Sequence, residues 1–209
     1  MQESILIGSE ELRKEGATFL SLLDDDWNNL ISQIGPCTLK VDQTLPPYQA
    51  LIKSVIYQQL HPKAANAILG KFLKLFNDSF LTANNIFEKK DQLKACGLSK
   101  NKLSTILLIA SLNINKKLPT SNEIIKMTDN EIIKLFSSIK GIGEWTVQMI
   151  LIFNLGRLDI IPQNDLAIRK NYQKFKRLNT IISPKDIIDI SKVWRPYRSI
   201  ASWYLWHLE

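Results

Sequence analysis

Cysteine is scarce in this 209-residue chain, which contains only Cys37 and Cys96. Two thiols are too few for a disulfide framework, and they cannot supply the four thiolates of a zinc or iron–sulfur site. Long apolar runs are missing too, because none approaches the roughly 20 residues that a membrane-spanning helix needs. The N-terminus has no basic leader followed by an apolar core. We therefore expect a protein of a reducing compartment that is neither exported nor embedded in a membrane.

Glycine and proline are also infrequent, at 8 residues each, and strand patterns are hard to find except near residues 38–41. Apolar residues recur at helical spacing along most of the chain, so the predicted fold class is all-α. Thr128 and Glu131 have the spacing of a capping box, which marks a helix start. The predicted helices cover residues 9–23, 26–34, 48–59, 62–76, 83–89, 91–95, 100–112, 121–126, 129–139, 144–153, 165–176, 184–191 and 196–207.

Two adjacent prolines, Pro46 and Pro47, mark the predicted domain boundary. They follow the segment with the weak strand pattern and precede a long series of helical patterns. The sequence therefore predicts an N-terminal appendage, residues 1–45, that packs on a main helical body, residues 46–209.

Basic residues outnumber acidic ones, with 27 Lys and Arg against 20 Asp and Glu, giving a net charge of +7 and a pI near 9.3. This charge favours a polyanionic partner, either nucleic acid or an anionic membrane surface. Many basic proteins bind no nucleic acid, so the charge by itself leaves the partner open.

A turn with two glycines, Gly141 and Gly143, joins two apolar helical patterns within the segment IKGIGEWT, residues 139–146. Glycine permits positive φ and close backbone approach. Such a turn can aim the N–H groups that begin the next helix at a phosphate, which the positive helix end also attracts. An ordinary connector between packed helices would have the same pattern, and the pattern alone favours that interpretation.

Asp165 precedes another amphipathic pattern and lies 20 residues beyond Trp145. The simplest interpretation of this aspartate is a helix N-cap. A capping carboxylate is also held in fixed geometry, as an enzyme needs in order to stabilise positive charge developing on a sugar. Both interpretations remain open at this point.

Three separated blocks resemble the helix-hairpin-helix DNA glycosylase superfamily, specifically its 3-methyladenine DNA glycosylase II branch, which includes compact yeast alkylation-repair glycosylases. Residues 56–65 (IYQQLHPKAA) resemble the family's DNA-intercalating loop and the helix that follows it. Residues 140–146, together with 165–169 (DLAIR), resemble its hairpin and catalytic segment. Residues 194–206 resemble its C-terminal helix, so the resemblance spans about residues 46–206.

The resemblance implies two helical lobes, a helix-hairpin-helix motif and an active-site cleft between the lobes. It implies a monofunctional glycosylase of base excision repair that flips out purines of the 3-methyladenine and 7-methylguanine type. Asp165 would be the catalytic residue for hydrolysis of the N-glycosidic bond. Trp145, Trp206 and Tyr57 would form the base pocket, since an indole face can recognise a cationic methylated purine. Tyr57 equally fits a residue packed in the lobe interface.

The same resemblance implies a set of DNA contacts. Gln59 and Leu60 would act as plug and wedge in the minor groove, without the sequence deciding which is which, and His61 would contact the groove beside them. Without the matching loop, this histidine would be interpreted as an ordinary surface residue. The remaining predicted DNA-binding residues are Lys63, Lys140, Gly141, Gly143 and Thr146, although a helical lysine is usually only solvated.

No cofactor is expected for catalysis, because a cationic methylated base needs little help to leave. The backbone carbonyls of Ser137, Ile139 and Ile142 are expected to hold a sodium or potassium ion, as family hairpins do. The expected partner is damaged double-stranded DNA, bound by a monomer without a membrane. The expected location is the cytoplasm, with the nucleoid, for a bacterial source and the nucleus for a eukaryotic one.

Two departures and two competing functions remain. The bacterial prototype has a larger N-terminal domain. It also has an aromatic pocket residue at the position where this chain has Met149. The preferred lesion is therefore left open, including whether ethenoadenine or hypoxanthine is accepted. The competitors are a bifunctional glycosylase and abasic-site lyase, and a non-catalytic DNA-binding module of the same fold. Bifunctional relatives have a lysine two positions after the second glycine, and Trp145 stands at that position here.

Arg198 is expected to be a structural ion-pair partner.

Overall fold

The computed structural model describes residues 7–76 and 82–208 of the chain, and within these residues the fold is all-α, as predicted. The helices are α1 Glu10–Ser21, α2 Asp25–Ile34, α3 Pro47–Tyr57, α4 Pro62–Lys74, α5 Ala83–Glu88, α6 Lys90–Lys94, α7 Lys100–Ile114, α8 Ser121–Ile124, α9 Asp129–Ser137, α10 Glu144–Phe153, α11 Leu166–Phe175, α12 Pro184–Ile190 and α13 Arg198–Trp206. A short 3₁₀ helix, Ser191–Trp194, follows α12 and was not predicted. No described helix has the length and apolar character needed to cross a membrane.

The predicted helix start at Thr128 is confirmed. The Thr128 hydroxyl accepts a hydrogen bond from the Glu131 backbone N–H, while the Glu131 carboxylate accepts one from the Thr128 N–H. These two bonds satisfy donors that the first turn of a helix otherwise leaves unpaired. They fix where α9 begins, and α9 leads directly into the glycine turn.

The weak strand pattern near residues 38–41 does not form a strand, because the described residues contain no β-strand. The segment has no neighbouring strand to pair with. Just after it, the backbone N–H of Asp42 donates to the carbonyl of Phe153, at the end of α10, across 2.8 Å. The chain therefore passes the end of α10, and within the segment Leu39 is buried and Val41 is half-buried without a sheet.

The chain divides into two compact units, one formed by residues 1–43 with 151–209 and the other by residues 44–150. In the first unit, the N-terminal helices pack with the C-terminal ones. The ring of Trp27 on α2 lies edge-on to Trp194, with centroids 5.3 Å apart, and edge-on to Phe175 of α11. Hence the N-terminal segment supplies part of the same core as the last 59 residues.

The second unit is built around α7, against which α3 and α5 pack. Its core contains Ile52, Ile56, Ile106 and Phe136, none of which is exposed to solvent. Burying side chains of this size contributes about 1.5–3 kcal/mol each. This packing places α7 beside both the end of α3 and the turn that follows α9.

Candidate functional site

The glycine turn after α9 is a tight hairpin that packs on α7. Gly141 has a φ of +92°, and a β-carbon there would lie 2.2 Å from the hydroxyl oxygen of Thr105. The Thr105 hydroxyl donates to the carbonyl of Lys140 across 3.3 Å. Both the backbone conformation and the close approach therefore require glycine at position 141.

Gly143 differs from Gly141, because a β-carbon there would meet nothing within 4 Å. This glycine is exposed and precedes the first residue of α10, whose N-terminal end carries partial positive charge. Lys140 is also exposed on the same hairpin. The exposed hairpin surface therefore combines a cation, a helix N-terminus and a glycine without steric neighbours, which suits a phosphate.

The three carbonyls that were expected to hold a monovalent cation lie on the same hairpin. The carbonyl of Ile139 already accepts a hydrogen bond from the N–H of Ile142 across 3.0 Å, which leaves it a second lone pair. The Ser137 hydroxyl oxygen is buried without a hydrogen-bond partner. A hard cation prefers such oxygen ligands. Among the described residues, no cluster of three His, Cys, Asp or Glu side chains could hold a metal ion.

The loop between α3 and α4 presents Gln59, Leu60 and His61 to solvent. Gln59 has a φ of +54°, which non-glycine residues adopt infrequently. Leu60 keeps 36% of its surface exposed, a large fraction for a leucine. His61 caps α4, where its Nδ1 accepts from the backbone N–H of the exposed Lys63 across 3.3 Å. The predicted plug, wedge and groove residues thus form one exposed tip.

Tyr57 lies half-buried at the end of α3, and its hydroxyl donates to Oδ1 of Asn66 on α4. Burial raises the pKa of the Tyr57 hydroxyl. The ring is therefore held by a partner within its own unit. Its predicted role as a pocket wall remains a prediction.

Gln58 is a residue of this region that sequence reasoning did not single out. Its Nε2 donates to the carbonyl of Gly141 across 3.1 Å and to the hydroxyl of Thr146 across 3.0 Å. Thr146 is buried, so its hydroxyl faces the protein interior. A contact of Thr146 with DNA, as predicted, would have to involve its backbone. Only the repeated Gln-Gln of the matching loop could have drawn attention to Gln58.

Lys102 on α7 is a second residue that sequence reasoning did not single out, and its ammonium group binds backbone carbonyls. Its Nζ donates to the carbonyls of Ile56 and Gln58 across 2.9 and 2.7 Å. Burial lowers the pKa of the Lys102 ammonium group. Lys102 therefore binds the last turn of α3 and does not extend into solvent.

Asp165 lies in the other unit and is the N-cap of α11. Its Oδ1 accepts from the backbone N–H of Ile168 across 3.0 Å, and its own N–H donates to the carbonyl of Pro162. Only 9% of Asp165 is exposed. The capping interpretation of this aspartate is thus confirmed, and the cap also gives the carboxylate a fixed orientation, as catalysis would require.

Trp206, the last residue of α13, stacks on Phe153, with ring centroids 5.7 Å apart and planes inclined by 28°. Both rings are half-buried. The backbone at this end of α13 is held by Asn171 of α11, whose side-chain amide donates to the carbonyl of Leu205 across 2.7 Å. Sequence reasoning missed Phe153 and Asn171, since both act through residues distant in the chain.

The remaining tryptophans separate into exposed and buried ones. Trp145, at the start of α10, keeps 37% of its surface exposed, whereas Trp194 and Trp203 keep 2% and 6%. Trp194 and Trp203 therefore belong to the core. Arg198 is an ion-pair partner, as expected, because its guanidinium binds both the carboxylate and the backbone carbonyl of Asp159.

The structure thus places the predicted residues in two groups. The DNA-contact tip, the hairpin, Tyr57 and Trp145 belong to the unit of residues 44–150, and Asp165 and Trp206 belong to the other unit. Asp165 and Trp206 lie at the ends of two helices, α11 and α13, that pack on each other.

Comparisons with known proteins identify the family to which the chain is similar. The family model described as "HhH-GPD superfamily base excision DNA repair protein" matches residues 52–196. Two relatives come from the yeast Schizosaccharomyces pombe. Alkylbase DNA glycosidase-like protein mag2 is 36% identical over 198 residues, covering 93% of each chain. DNA-3-methyladenine glycosylase 1 is 38% identical over 192 residues, covering 90% of this chain and 83% of the relative.

Solved structures give the same result. The Schizosaccharomyces pombe 3-methyladenine DNA glycosylase Mag1, in complex with abasic DNA, superimposes with a TM-score of 0.84 at 37% identity, covering 92% of this chain and 95% of that one. A DNA-3-methyladenine glycosidase from Bacillus halodurans superimposes with a TM-score of 0.78 at 27% identity. It covers 97% of this chain and 90% of the other. The likeness thus extends over nearly the whole described chain.

Proposed function

Because this chain belongs to the HhH-GPD superfamily of base excision DNA repair proteins, we propose that it is a monofunctional DNA glycosylase that removes alkylated purines from duplex DNA. The substrate class is the one named for the yeast relative Mag1, a 3-methyladenine DNA glycosylase. The released base would be of the 3-methyladenine or 7-methylguanine type. The product would be an abasic site in an uncut strand.

The observation that carries this proposal is the buried carboxylate of Asp165 at the N-terminus of α11. The hydrogen bond from the Ile168 N–H fixes its orientation before substrate arrives. A preoriented anion stabilises positive charge that develops in a transition state, at no cost of reorganisation during the reaction. Asp165 is therefore the group to which we assign the chemistry.

The reaction breaks the bond between the sugar C1′ and the purine nitrogen. The base leaves with the bonding electron pair, which neutralises the positive charge that methylation placed on it. The sugar becomes oxocarbenium-like and is stabilised by ionised Asp165. Water then adds to C1′ and loses its proton to the carboxylate or to solvent. No strong general acid is needed, because the leaving group is already cationic.

Base recognition is assigned to aromatic faces. Trp206 offers an indole held by Phe153 on one side, in the same unit as Asp165. An electron-rich indole attracts a cationic ring more strongly than a neutral one. Trp145, exposed in the other unit, is the second proposed aromatic contact, and Tyr57 is a third. Selectivity would then come from stacking and from the ease of flipping a weakened base.

DNA binding is assigned to the hairpin and to the exposed tip of the unit of residues 44–150. The hairpin would bind phosphate through Lys140, Gly141 and Gly143, and the tip would enter the minor groove through residues 59–61. The yeast relative Mag1 was solved with abasic DNA, which supports DNA as the partner. We propose that the protein binds damaged duplex as a monomer.

We also assign a sodium or potassium ion to the carbonyls of Ser137, Ile139 and Ile142. The free lone pair of the Ile139 carbonyl and the buried Ser137 hydroxyl oxygen support this assignment. The ion would hold the hairpin backbone in the conformation that meets a phosphate. It would take no part in the bond cleavage.

The test of the proposed function uses a panel of duplexes that differ in one modified base: 7-methylguanine, 3-methyladenine, ethenoadenine, hypoxanthine or an undamaged purine. Abasic sites are scored by alkaline strand cleavage after incubation. We expect sites to form with both methylated purines and not with the undamaged base, and the Asp165→Asn variant is the matched control. DNA binding without base release in any duplex would instead support a non-catalytic binding module.

A further inference from the structure

Three side chains connect the exposed tip of residues 59–61 to the glycine hairpin, within the unit of residues 44–150. The first is Gln58, whose side-chain amide donates to the Gly141 carbonyl and to the Thr146 hydroxyl. An amide nitrogen has two N–H groups, so both donors of Gln58 are engaged by the hairpin. Gln58, the residue just before the tip, is therefore joined directly to the segment that would bind phosphate.

The other two side chains come from α7. Lys102 and Thr105 are three positions apart, so they lie on the same face of this helix. Lys102 donates to the carbonyls at the end of α3, including that of Gln58, and Thr105 donates to the carbonyl of Lys140 in the hairpin. Helix α7 thus holds the base of the tip and the hairpin with adjacent side chains.

The tip itself has a backbone that needs such support. Gln59 adopts a φ of +54° although it is exposed and is not glycine. A backbone in this region persists when the surrounding structure determines it. On one side of Gln59 the chain is held by the bonds of Gln58, and on the other by His61, which caps α4. Removing the two side-chain bonds of Gln58 leaves that side of the strained residue held only by the bond from Lys102 to the Gln58 carbonyl.

We propose that Gln58 is a positioning residue for lesion recognition. By binding Gly141 and Thr146, it fixes the tip relative to the hairpin, so that the tip enters the duplex at a set distance from the phosphate that the hairpin holds. This inference rests on the proposed function, since it takes the tip and the hairpin as DNA contacts. Gln58 itself does not touch the base or the sugar in this role.

The test replaces Gln58 with methionine, which keeps the length of the side chain and removes both donors without adding charge. The matched control is Gln92→Met, at an exposed glutamine of the same unit. Each variant is mixed at saturation with a duplex that holds a stable abasic analogue beside 2-aminopurine. The fluorescence of 2-aminopurine reports unstacking by an inserted side chain, and this signal needs no bond cleavage.

We expect Gln58→Met to lose more than half of the fluorescence change and about tenfold in single-turnover release of 7-methylguanine. Its dissociation constant for undamaged duplex should stay within twofold of wild type, since the phosphate contacts remain. Gln92→Met should match wild type in all three measurements. A purely structural role of Gln58 would instead weaken binding to every duplex together with thermal stability, and that result, or a full fluorescence change, overturns the inference.

Three further cases are distinguished by the same measurements. If Gln58→Met does not fold, Gln58→Asn keeps an amide that is too short to reach both acceptors, and the same losses are expected from it. If the wild-type protein releases no base but gives the fluorescence change, the proposed chemistry fails while the role of Gln58 is still measured. If the wild type gives base release without a fluorescence change, the proposed insertion of the tip fails and the inference fails with it.

Discussion

The Oδ1 atom of Asp165 accepts a hydrogen bond from the backbone N–H of Ile168 at 3.0 Å, so one carboxylate is both the cap of α11 and the proposed catalytic group. These two roles separate on substitution, because an asparagine oxygen can still accept the capping bond while it lacks the negative charge. The first prediction uses this difference.

Asp165→Asn should fold and bind DNA nearly as wild type does but release methylated purines about 10²–10³-fold more slowly, as for other losses of one electrostatic contact to a transition state. Asp165→Ala should in addition lose about 0.5–2 kcal/mol of stability, as N-caps do. The control is Ser9→Ala, which removes the exposed cap of α1 and should keep full excision. Single-turnover rates and denaturant unfolding give the two readouts, and an active Asp165→Asn would refute the assignment.

The two glycines of the hairpin should respond differently to alanine. Gly141→Ala should lose about 1–2 kcal/mol or more of stability, because position 141 has a φ of +92° and its β-carbon would meet the Thr105 hydroxyl. Gly143→Ala should unfold at nearly the wild-type denaturant concentration, since its β-carbon meets nothing within 4 Å. Equal stability losses for the two variants would contradict the described hairpin.

Bulkier residues at position 143 should weaken binding to duplex DNA by a similar factor whatever the base sequence of the duplex. Gly143→Val places a branched side chain where a phosphate is expected to approach, and phosphates carry no sequence information. We expect a similar rise in dissociation constant for duplexes of unrelated sequence. A defect confined to one sequence would show that the hairpin reads bases.

Lys140 and Lys102 should differ in how they affect the salt dependence of binding. Lys140→Met should reduce the slope of log affinity against log salt by about one, because one released counterion is lost. Lys102→Met should leave that slope unchanged, since its ammonium group binds the carbonyls of Ile56 and Gln58. Affinities of both variants measured at several salt concentrations decide this, and a smaller slope for Lys102→Met would mean that this lysine meets a phosphate.

Incubation with methylated duplex and borohydride should give no covalent protein–DNA adduct and no strand nicking beyond that of the buffer control. Lyase action needs an amine that attacks the anomeric carbon to form a Schiff base. The position two residues after Gly143 holds Trp145, an indole without that reactivity. A bifunctional glycosylase assayed in parallel confirms that trapping works. An adduct in the protein lane would show that another lysine acts as nucleophile.

The ring of Trp206 should matter more for cationic bases than for neutral ones. Trp206→Leu is expected to slow release of 7-methylguanine about tenfold more than release of hypoxanthine, since a cation over an indole gains about 0.5–2 kcal/mol. Trp206→Phe should fall between wild type and leucine. Phe153→Leu, which removes the ring stacked on Trp206, tests whether the indole must also be held in place. Equal losses for both bases would indicate that Trp206 contributes shape alone.

The residue pattern along the chain was enough to predict each α-helix of the described part, the hairpin glycines and the cap at Asp165. These features depend on interactions within a few positions, such as helical periodicity, the conformational freedom of glycine and side-chain capping of the next turn. The 3₁₀ helix 191–194 escaped prediction, because four residues are too few to show an apolar period.

Only the tertiary structure decided which residues hold these features in place. Gln58 meets Thr146 across 88 positions, Lys102 meets Ile56 across 46, and Phe153 stacks on Trp206. Such pairs leave no periodic signal, since they depend on how helices pack after they form. The same reason explains why residues 1–43 join the C-terminal helices. It also explains why the segment with the weak strand pattern, residues 38–41, leads past the end of α10 without forming a strand. Interactions between residues close in the chain determined the candidate functional residues. The packing of helices determined which other residues hold them in place.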